Sequence, residues 1–187
     1  IVEKNSKYLK QLVDELIELI KTGGHDIKSR PNPISVEKLV KDVLLNEESI
    51  FLTDNVEVVT KITPGLPKVY ANKLRLSEAL RNLVANAVKF MPNGGRLQVE
   101  VYKKDNFIYI KIKDNGIGMT KKTLQQIFDP FFKADTSRHT QGTGLGLTIC
   151  KEIVNNYRGS ISADSKGKGK GSEFTIKLPT YKGVWNG

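Results

Sequence analysis

Two asparagines and a lysine recur on one side of a predicted helix, where they could bind a charged ligand. At 100° per residue, Asn82, Asn86 and Lys89 fall within about 60° of arc. Asparagine is a poor helix former, so two of them one turn apart weaken the helix without structural gain. Amide oxygens and an ammonium group suit a magnesium-bound polyphosphate. The alternative is an ordinary solvated helix face.

A short glycine segment, Asp114-Asn115-Gly116-Ile117-Gly118, directly follows a predicted strand. Its carboxylate could accept a hydrogen bond from the exocyclic amine of a nucleobase. Its glycines let a ligand approach the backbone closely. The alternative is a common Asp-Asn-Gly turn. Both interpretations fit the segment when it is taken alone.

A second glycine segment, Gly-Thr-Gly-Leu-Gly-Leu at residues 142–147, opens another predicted helix. Free amides at a helix N-terminus bind anions such as phosphate. The segment does not fit G-x-G-x-x-G and follows a polar loop, which argues against a Rossmann dinucleotide site. A flexible hinge is the alternative for this segment alone. Together, the helix and the two glycine segments predict one nucleotide site.

Hydrophobic periodicity predicts the elements that position these segments. Apolar residues spaced by three and four predict an amphipathic helix over residues 5–21, and two prolines mark a linker over 23–33. Further helices are predicted from Ser35 to about Ile50 and from Asn72 to near Met91, with Ser35 and Asn72 as their N-terminal caps. Two more are predicted within 120–141 and from Leu145 to about Tyr157. Strands are predicted at 56–62, 97–101, 107–112, 160–163 and 172–178. This pattern indicates an α+β fold, with a mostly antiparallel sheet and helices on one face.

A run of alternating lysine and glycine at residues 166–171 joins the last two predicted strands. We interpret this run as a hairpin turn. A phosphate-binding loop is the alternative, but the spacing G-x-x-x-x-G-K-[ST] is absent.

The composition is compatible with several kinds of ligand. The 187 residues carry a net charge of +10 and a pI near 9.6, which suits nucleic acid, a membrane surface or a small anion. Nucleic acid is the weaker interpretation, because there is no arginine-rich stripe and aromatics do not alternate with basic residues. Cys150 lies in an apolar helical run, which predicts a packed thiol and fits a reducing compartment. We see no apolar stretch of about 20 residues and no signal peptide. Because the chain begins without Met, we expect a piece of a longer protein.

Four motifs follow one another in a set order and at set separations. They are Asn82-x-x-x-Asn86 with Lys89 and Phe90, Asp114-x-Gly116-x-Gly118, Phe128-x-x-Phe131-Phe132, and Gly142-x-Gly144-Leu145-Gly146-Leu147. They resemble the N, G1, F and G2 boxes of sensor histidine kinases. The resemblance covers residues 34–180 and implies a Bergerat-type two-layer α/β sandwich. It also implies that residues 1–22 end a dimerisation helix, 23–33 form a linker, 34–180 form the catalytic and ATP-binding domain, and 181–187 form a tail.

The resemblance implies a role for each motif residue toward ATP and Mg²⁺. Asn86 would ligate the metal, and Asp114 would accept a hydrogen bond from the adenine N6 amine. Catalytic roles would fall to Asn82 and to two cations of the ATP lid, Lys133 and Arg138. The implied nucleotide contacts are Asn86, Lys89, Phe90, Asp114, Gly116, Ile117, Gly118, Phe128, Thr143, Gly144, Leu145, Gly146 and Leu147. Residues 119–141 would form the lid, anchored by Phe128, Phe131 and Phe132.

The implied reaction is transfer of the ATP γ-phosphoryl group to a histidine, with later relay to a response regulator. His25 and His139 lack the context of a phosphoacceptor motif. We therefore expect the acceptor on a dimerisation domain mostly absent from this chain, within a homodimeric kinase. We expect this domain to be cytoplasmic, to bind no nucleic acid and not to phosphorylate itself when isolated. The alternatives are a Bergerat-fold ATPase or conformational switch, and a basic nucleic-acid-binding module.

Overall fold

The computed structural model describes residues 30–134 and 142–183, and in the N-terminal segment only Lys10, Val13 and Ile17, which are helical. The rest of the helix predicted over 5–21, residues 135–141 of the predicted lid and the end of the predicted tail lie outside the described residues. Within the described part of the chain, no helix combines the length and apolar character that crossing a membrane requires.

Twelve elements follow one another in the described ranges 30–134 and 142–183. They are β1 (Asn32–Ile34), α1 (Val36–Asn46), α2 (Glu48–Thr53), β2 (Val56–Ile62), β3 (Val69–Ala71), α3 (Lys73–Lys89), β4 (Gly95–Lys104), β5 (Phe107–Asp114), α4 (Lys121–Gln126), α5 (Gly146–Asn156), β6 (Ser160–Asp164) and β7 (Ser172–Pro179).

The main sheet has five strands in the order β2-β4-β5-β7-β6. The pair β2–β4 is parallel, and the other three pairs are antiparallel. Side chains alternate along β4, β5 and β7, so that one face of the sheet is buried and the other carries polar groups such as Lys111 and Glu173. The buried face and the apolar sides of α1, α3 and α5 belong to one hydrophobic core. The predicted α+β fold, with a mostly antiparallel sheet, is confirmed.

Side-chain caps fix where two of these helices begin. Ser35 Oγ accepts a hydrogen bond from Lys38 N at 3.3 Å, which starts α1. Asn72 Oδ1 accepts from Leu74 N at 2.9 Å and from Arg75 N at 3.3 Å, which starts α3. Each cap satisfies backbone donors that have no partner within the first turn of the helix. The sequence predicted both caps.

Two predicted boundaries differ from the structure. Asn32–Ile34, partly assigned to the linker, pairs with Val69–Ala71, a strand that the sequence did not predict. Pro33 is tolerated there because the ribbon has only two strands, so a missing N–H donor need not break a ladder. The helix predicted to reach Ile50 instead divides at Glu47 into α1 and α2.

The Asn72 cap should contribute measurably to stability. Asn72→Ala is expected to lower the free energy of unfolding by about 1 kcal/mol, because two helix amides lose their acceptor. Urea denaturation would measure the loss. Asn72→Asp keeps an acceptor oxygen and should retain most of the stability. Equal losses in the two variants would show that the cap is not the cause.

Candidate functional site

A cavity of about 290 Å³ lies where the three segments singled out in the sequence meet. Its walls come from the C-terminal half of α3, the loop that follows β5, the residues after α4, the start of α5, and β7. The residues that line it are Asn82, Ala85, Asn86, Ala87, Lys89, Phe90, Asp114, Ile117, Gly118, Met119, Thr123, Ile127, Phe132, Lys133, Ala134, Gly142, Thr143, Gly144, Gly146, Leu147, Ser172 and Phe174. The fold therefore brings all three segments to one cavity.

Asp114, one of the lining residues, is a buried carboxylate, with only 4% of its surface exposed. Its Oδ1 accepts hydrogen bonds from Gly116 N at 2.9 Å and from Ser172 N at 3.2 Å. Burial raises the pKa of Asp114, and these backbone hydrogen bonds oppose that rise without cancelling it. Oδ1 therefore accepts both of these hydrogen bonds, and Oδ2 takes part in neither.

Glycines bring the loop after β5 close to its neighbours. A Cβ at Gly116 would overlap the carbonyl oxygen of Phe90, and Ile117 N donates to that same oxygen at 3.0 Å. Gly118 has a φ of +65°, and a Cβ there would overlap the carbonyl oxygen of Gly167. Gly116 therefore serves close packing against the end of α3, which explains why it does not line the cavity.

Lys89 and Lys133, which are far apart in the sequence, both line the cavity. Burial lowers the pKa of Lys89, and the charge of Lys133 lowers it further. Lys89 Nζ also lies 5.3 Å from the centre of the Phe90 ring. Because the charge of Lys133 disfavours the charged form of Lys89, an anion bound in this region would be stabilised.

The start of α5 adds backbone donors to this region. Leu145, at the N-cap position, makes no side-chain capping hydrogen bond. The Leu145 side chain therefore does not cap the first amides of α5. The first amides of a helix commonly bind anions. Gly144 has a φ of +82°, and a Cβ there would lie 2.7 Å from the carbonyl carbon of Phe131. The Phe131-Phe132 segment therefore crosses directly over the glycine segment.

Most of the predicted site residues line this cavity. Gly116, Phe128 and Leu145 do not: Leu145 is 1% exposed in the core, and the Phe128 carbonyl accepts from Thr148 Oγ1 at 3.2 Å. Arg138 lies outside the described residues. The other predicted residues, which all line the cavity, are Asn82, Asn86, Lys89, Phe90, Asp114, Ile117, Gly118, Lys133, Thr143, Gly144, Gly146 and Leu147.

Sequence reasoning did not single out several lining residues. Met119, Thr123 and Ile127 fell only within the range of the implied lid, and Ser172 and Phe174 lay outside every motif. The last two reach the cavity through strand pairing, because Ser172 faces Asp114 in the register of β5 and β7. The alternating pattern of the last strand was visible in the sequence. The strand with which it pairs could not be read from the sequence, because pairing is a non-local property.

The cavity suits a metal only when phosphate supplies further ligands. Among the residues that the structure describes, no three His, Cys, Asp or Glu side chains come together as a metal site. Magnesium commonly takes few protein ligands and completes its shell with substrate phosphates and water. The side-chain oxygen of Asn86, which lines the cavity, fits such a shell.

Comparison with known proteins identifies the family. The family model described as histidine kinase-, DNA gyrase B- and HSP90-like ATPase matches residues 71–182. The chain belongs to this family. Among its relatives is the sensor histidine kinase RcsC of Escherichia coli K12, which is 29% identical over 183 residues. That alignment covers 96% of this chain but 19% of RcsC, so this chain spans about a fifth of that relative.

Solved structures of family members share the fold. Full-length ShkA in complex with AMPPNP aligns with a TM-score of 0.81 and 23% identity, covering 97% of this chain and 38% of ShkA. Histidine kinase ThkA, in complex with the response regulator protein TrrA, aligns with a TM-score of 0.77 and 20% identity. That match covers 97% of this chain and 50% of ThkA. The resemblance to sensor histidine kinases and the predicted fold are confirmed.

Proposed function

We propose that this chain contains the ATP-binding catalytic domain of a sensor histidine kinase, which transfers the γ-phosphoryl group of ATP to a histidine. One observation carries the proposal: a buried carboxylate and a pair of lysines lie in one cavity, which suits a base at one end and phosphates at the other. The names of the relatives support the reaction, and AMPPNP, an ATP analogue, is bound in the ShkA complex.

The base would lie near Asp114. Its carboxylate would accept a hydrogen bond from the adenine N6 amine through Oδ2, since Oδ1 already accepts two backbone bonds. Ile117, Met119 and Phe174 line the cavity and would pack against the ring. This arrangement would favour adenine, because guanine presents a carbonyl oxygen where adenine presents the amine.

The phosphates would lie between Lys89, Lys133 and the first amides of α5. Bound Mg²⁺ would neutralise charge on the phosphate oxygens, and Asn86 would hold it. The chain would thus orient the γ-phosphoryl group and stabilise the charge on it. Arg138 stays a predicted second lid cation. Residues 119–141 remain the proposed ATP lid.

Slow hydrolysis would follow from the groups that line the cavity. Asp114 is its one carboxylate among the described residues, and we assign it to the base. Asn82, one helical turn before Asn86, has a neutral amide that cannot act as a general base at neutral pH. With no second carboxylate among the described lining residues to activate water, the γ-phosphoryl group would be kept for a protein acceptor.

The remaining components of the proposed reaction would lie outside this chain. We place the acceptor histidine on a dimerisation domain, in a homodimer whose catalytic domains are cytoplasmic. The next partner would be the receiver domain of a response regulator. ThkA provides the support for this partner, since it was solved with the response regulator protein TrrA.

The decisive experiment separates binding from transfer. We expect this chain to bind AMPPNP in the presence of Mg²⁺, to release phosphate from ATP very slowly and not to label itself. When a matching dimerisation domain with its acceptor histidine is added, radioactive phosphate from ATP should appear on that histidine. Rapid steady-state phosphate release without transfer would instead indicate an ATPase or an ATP-driven switch. Binding that disappears at raised salt and does not need Mg²⁺ would indicate a nonspecific basic surface.

Asn86→Ala should remove the contribution of magnesium to nucleotide binding, because the amide oxygen that would bind the metal is lost. Titration of AMPPNP with and without Mg²⁺ should then give equal affinities. Asn86→Asp keeps an oxygen ligand and should keep the magnesium dependence. An unchanged dependence in Asn86→Ala would contradict the assignment of Asn86.

A further inference from the structure

The lysine- and glycine-rich turn between β6 and β7, residues 165–171, packs against the loop that follows β5. We call residues 165–171 the glycine–lysine turn and residues 116–119 the base loop. Gly169 N donates to Ile117 O at 2.6 Å, and Gly171 N donates to Gly116 O at 3.0 Å. The turn, none of whose residues lines the cavity, therefore supports the base loop through backbone hydrogen bonds.

Ser165 links the two segments with a single hydroxyl group. Its Oγ accepts from Met119 N at 2.9 Å and from Gly167 N at 3.3 Å, and it donates to Gly171 O at 2.6 Å. A serine hydroxyl offers one donor and two acceptor positions. All three are used here, and they connect both ends of the turn to the base loop.

Contact with the glycine–lysine turn leaves the base loop little freedom to move on its own. Gly118 adopts a φ of +65° with the Gly167 carbonyl immediately beside it. Its neighbours Ile117 and Met119 line the cavity, and half of the Ile117 surface is exposed. A change in the turn would therefore shift the wall against which a base would pack, while Lys89 and the start of α5 would be unaffected.

We propose that Ser165 is a positioning residue that fixes the base loop and so sets the affinity of the cavity for the base, separately from the phosphates. This inference rests on the proposed function, because it assumes that a nucleotide base binds beside residues 117–119. Ser165 itself does not line the cavity. Its effect passes through the Met119 amide and through the two ends of the turn.

The test compares two ligands that share phosphates but differ in the base. Ser165→Ala should weaken ATP binding about five- to tenfold, the scale of one or two lost hydrogen bonds. Binding of inorganic tripolyphosphate, with Mg²⁺ present, should stay within twofold of the parent. Ser165→Thr keeps the hydroxyl and should restore ATP binding. Lys168→Ala, at the exposed tip of the same turn, is the matched control and should leave both ligands unaffected.

A second measurement follows the contact itself. Loss of the Ser165 acceptor should speed hydrogen exchange at the Met119 amide, which NMR can resolve. If Ser165→Ala does not fold, Ser165→Cys replaces it, because the thiol keeps the volume but is a weak hydrogen-bonding group.

The outcomes distinguish a failure of the proposed function from a failure of the role of Ser165. A parent chain that fails to bind ATP overturns the proposed function. A parent that binds ATP, with a Ser165→Ala variant that binds it equally well, overturns the role of Ser165 alone. Equal weakening of ATP and tripolyphosphate also overturns that role, because it would indicate general destabilisation.

Discussion

Asp114→Asn is expected to weaken ATP binding by about 1–3 kcal/mol, or roughly 5- to 150-fold, the scale of a lost charge-assisted hydrogen bond in a buried site. The asparagine can still accept the backbone bonds from Gly116 and Ser172 through its side-chain oxygen. Its NH₂ group would then face the adenine amine, so two donors would oppose each other. Isothermal titration with AMPPNP in the presence of Mg²⁺ measures the loss.

The same variant provides its own control for folding. Burial raises the pKa of Asp114, so at pH 7 the ionised carboxylate is less favourable in the folded chain than in the unfolded one. That cost begins to shrink as the pH falls through the raised pKa of the folded chain, and it is gone once the pH is below the ordinary pKa of 3.8. Asparagine does not carry the charge, so Asp114→Asn should unfold at a temperature no lower than the parent at pH 7. A lower unfolding temperature would indicate damage to the fold.

Selectivity for the base provides the second readout for Asp114. The parent should bind the GTP analogue GMPPNP much more weakly than AMPPNP, because a guanine carbonyl would face the carboxylate. Asp114→Asn should narrow this difference, since its NH₂ group can donate to that carbonyl. Equal binding of AMPPNP and GMPPNP by the parent would show that Asp114 does not distinguish adenine from guanine.

Gly171→Ala is expected to cost about 2–5 kcal/mol of stability, from the left-handed backbone and from overpacking together. Gly171 has a φ of +68°, and a Cβ there would overlap the carbonyl oxygen of Asp114. Urea denaturation of the parent and the variant would measure the difference. Nucleotide binding should fall as well, because the displaced backbone belongs to the residue that would bind the base.

Gly169→Ala is the matched control for Gly171→Ala. Gly169 belongs to the same turn and has a φ of +71°, but a Cβ there meets no heavy atom within 4 Å. It should therefore lose about 1–2 kcal/mol, from the backbone conformation alone. Similar losses in the two variants would mean that contact with Asp114 is not what requires glycine at 171.

The sequence predicted the parts of the site that depend on local pattern. Asn82, Asn86 and Lys89 were predicted to share one side of a helix, and all three line the cavity. The caps at Ser35 and Asn72 follow from side chains that bond to amides within three residues, so short-range chemistry decides them.

The remaining parts depend on which segments pair across the chain. Ser172 reaches Asp114 because β7 lies beside β5, although 58 residues separate them. The interpretation of 166–171 as a turn agrees with the structure, but its support of the base loop follows from the strand order. The role of Gly116 likewise required knowing that the end of α3 lies against it.

The position of β7 inside the sheet has a consequence for synthesis. Translation delivers α3 and Asp114 first, yet β7 is what pairs with β5 on one side and β6 on the other. Until Ser172 leaves the ribosome, Asp114 is paired only with Leu97 of β4, and the base loop lacks its contacts with residues 165–171. The polar side chains of α3 would therefore be present in the nascent chain before the cavity is complete. We therefore expect ATP to bind the completed domain rather than the growing chain.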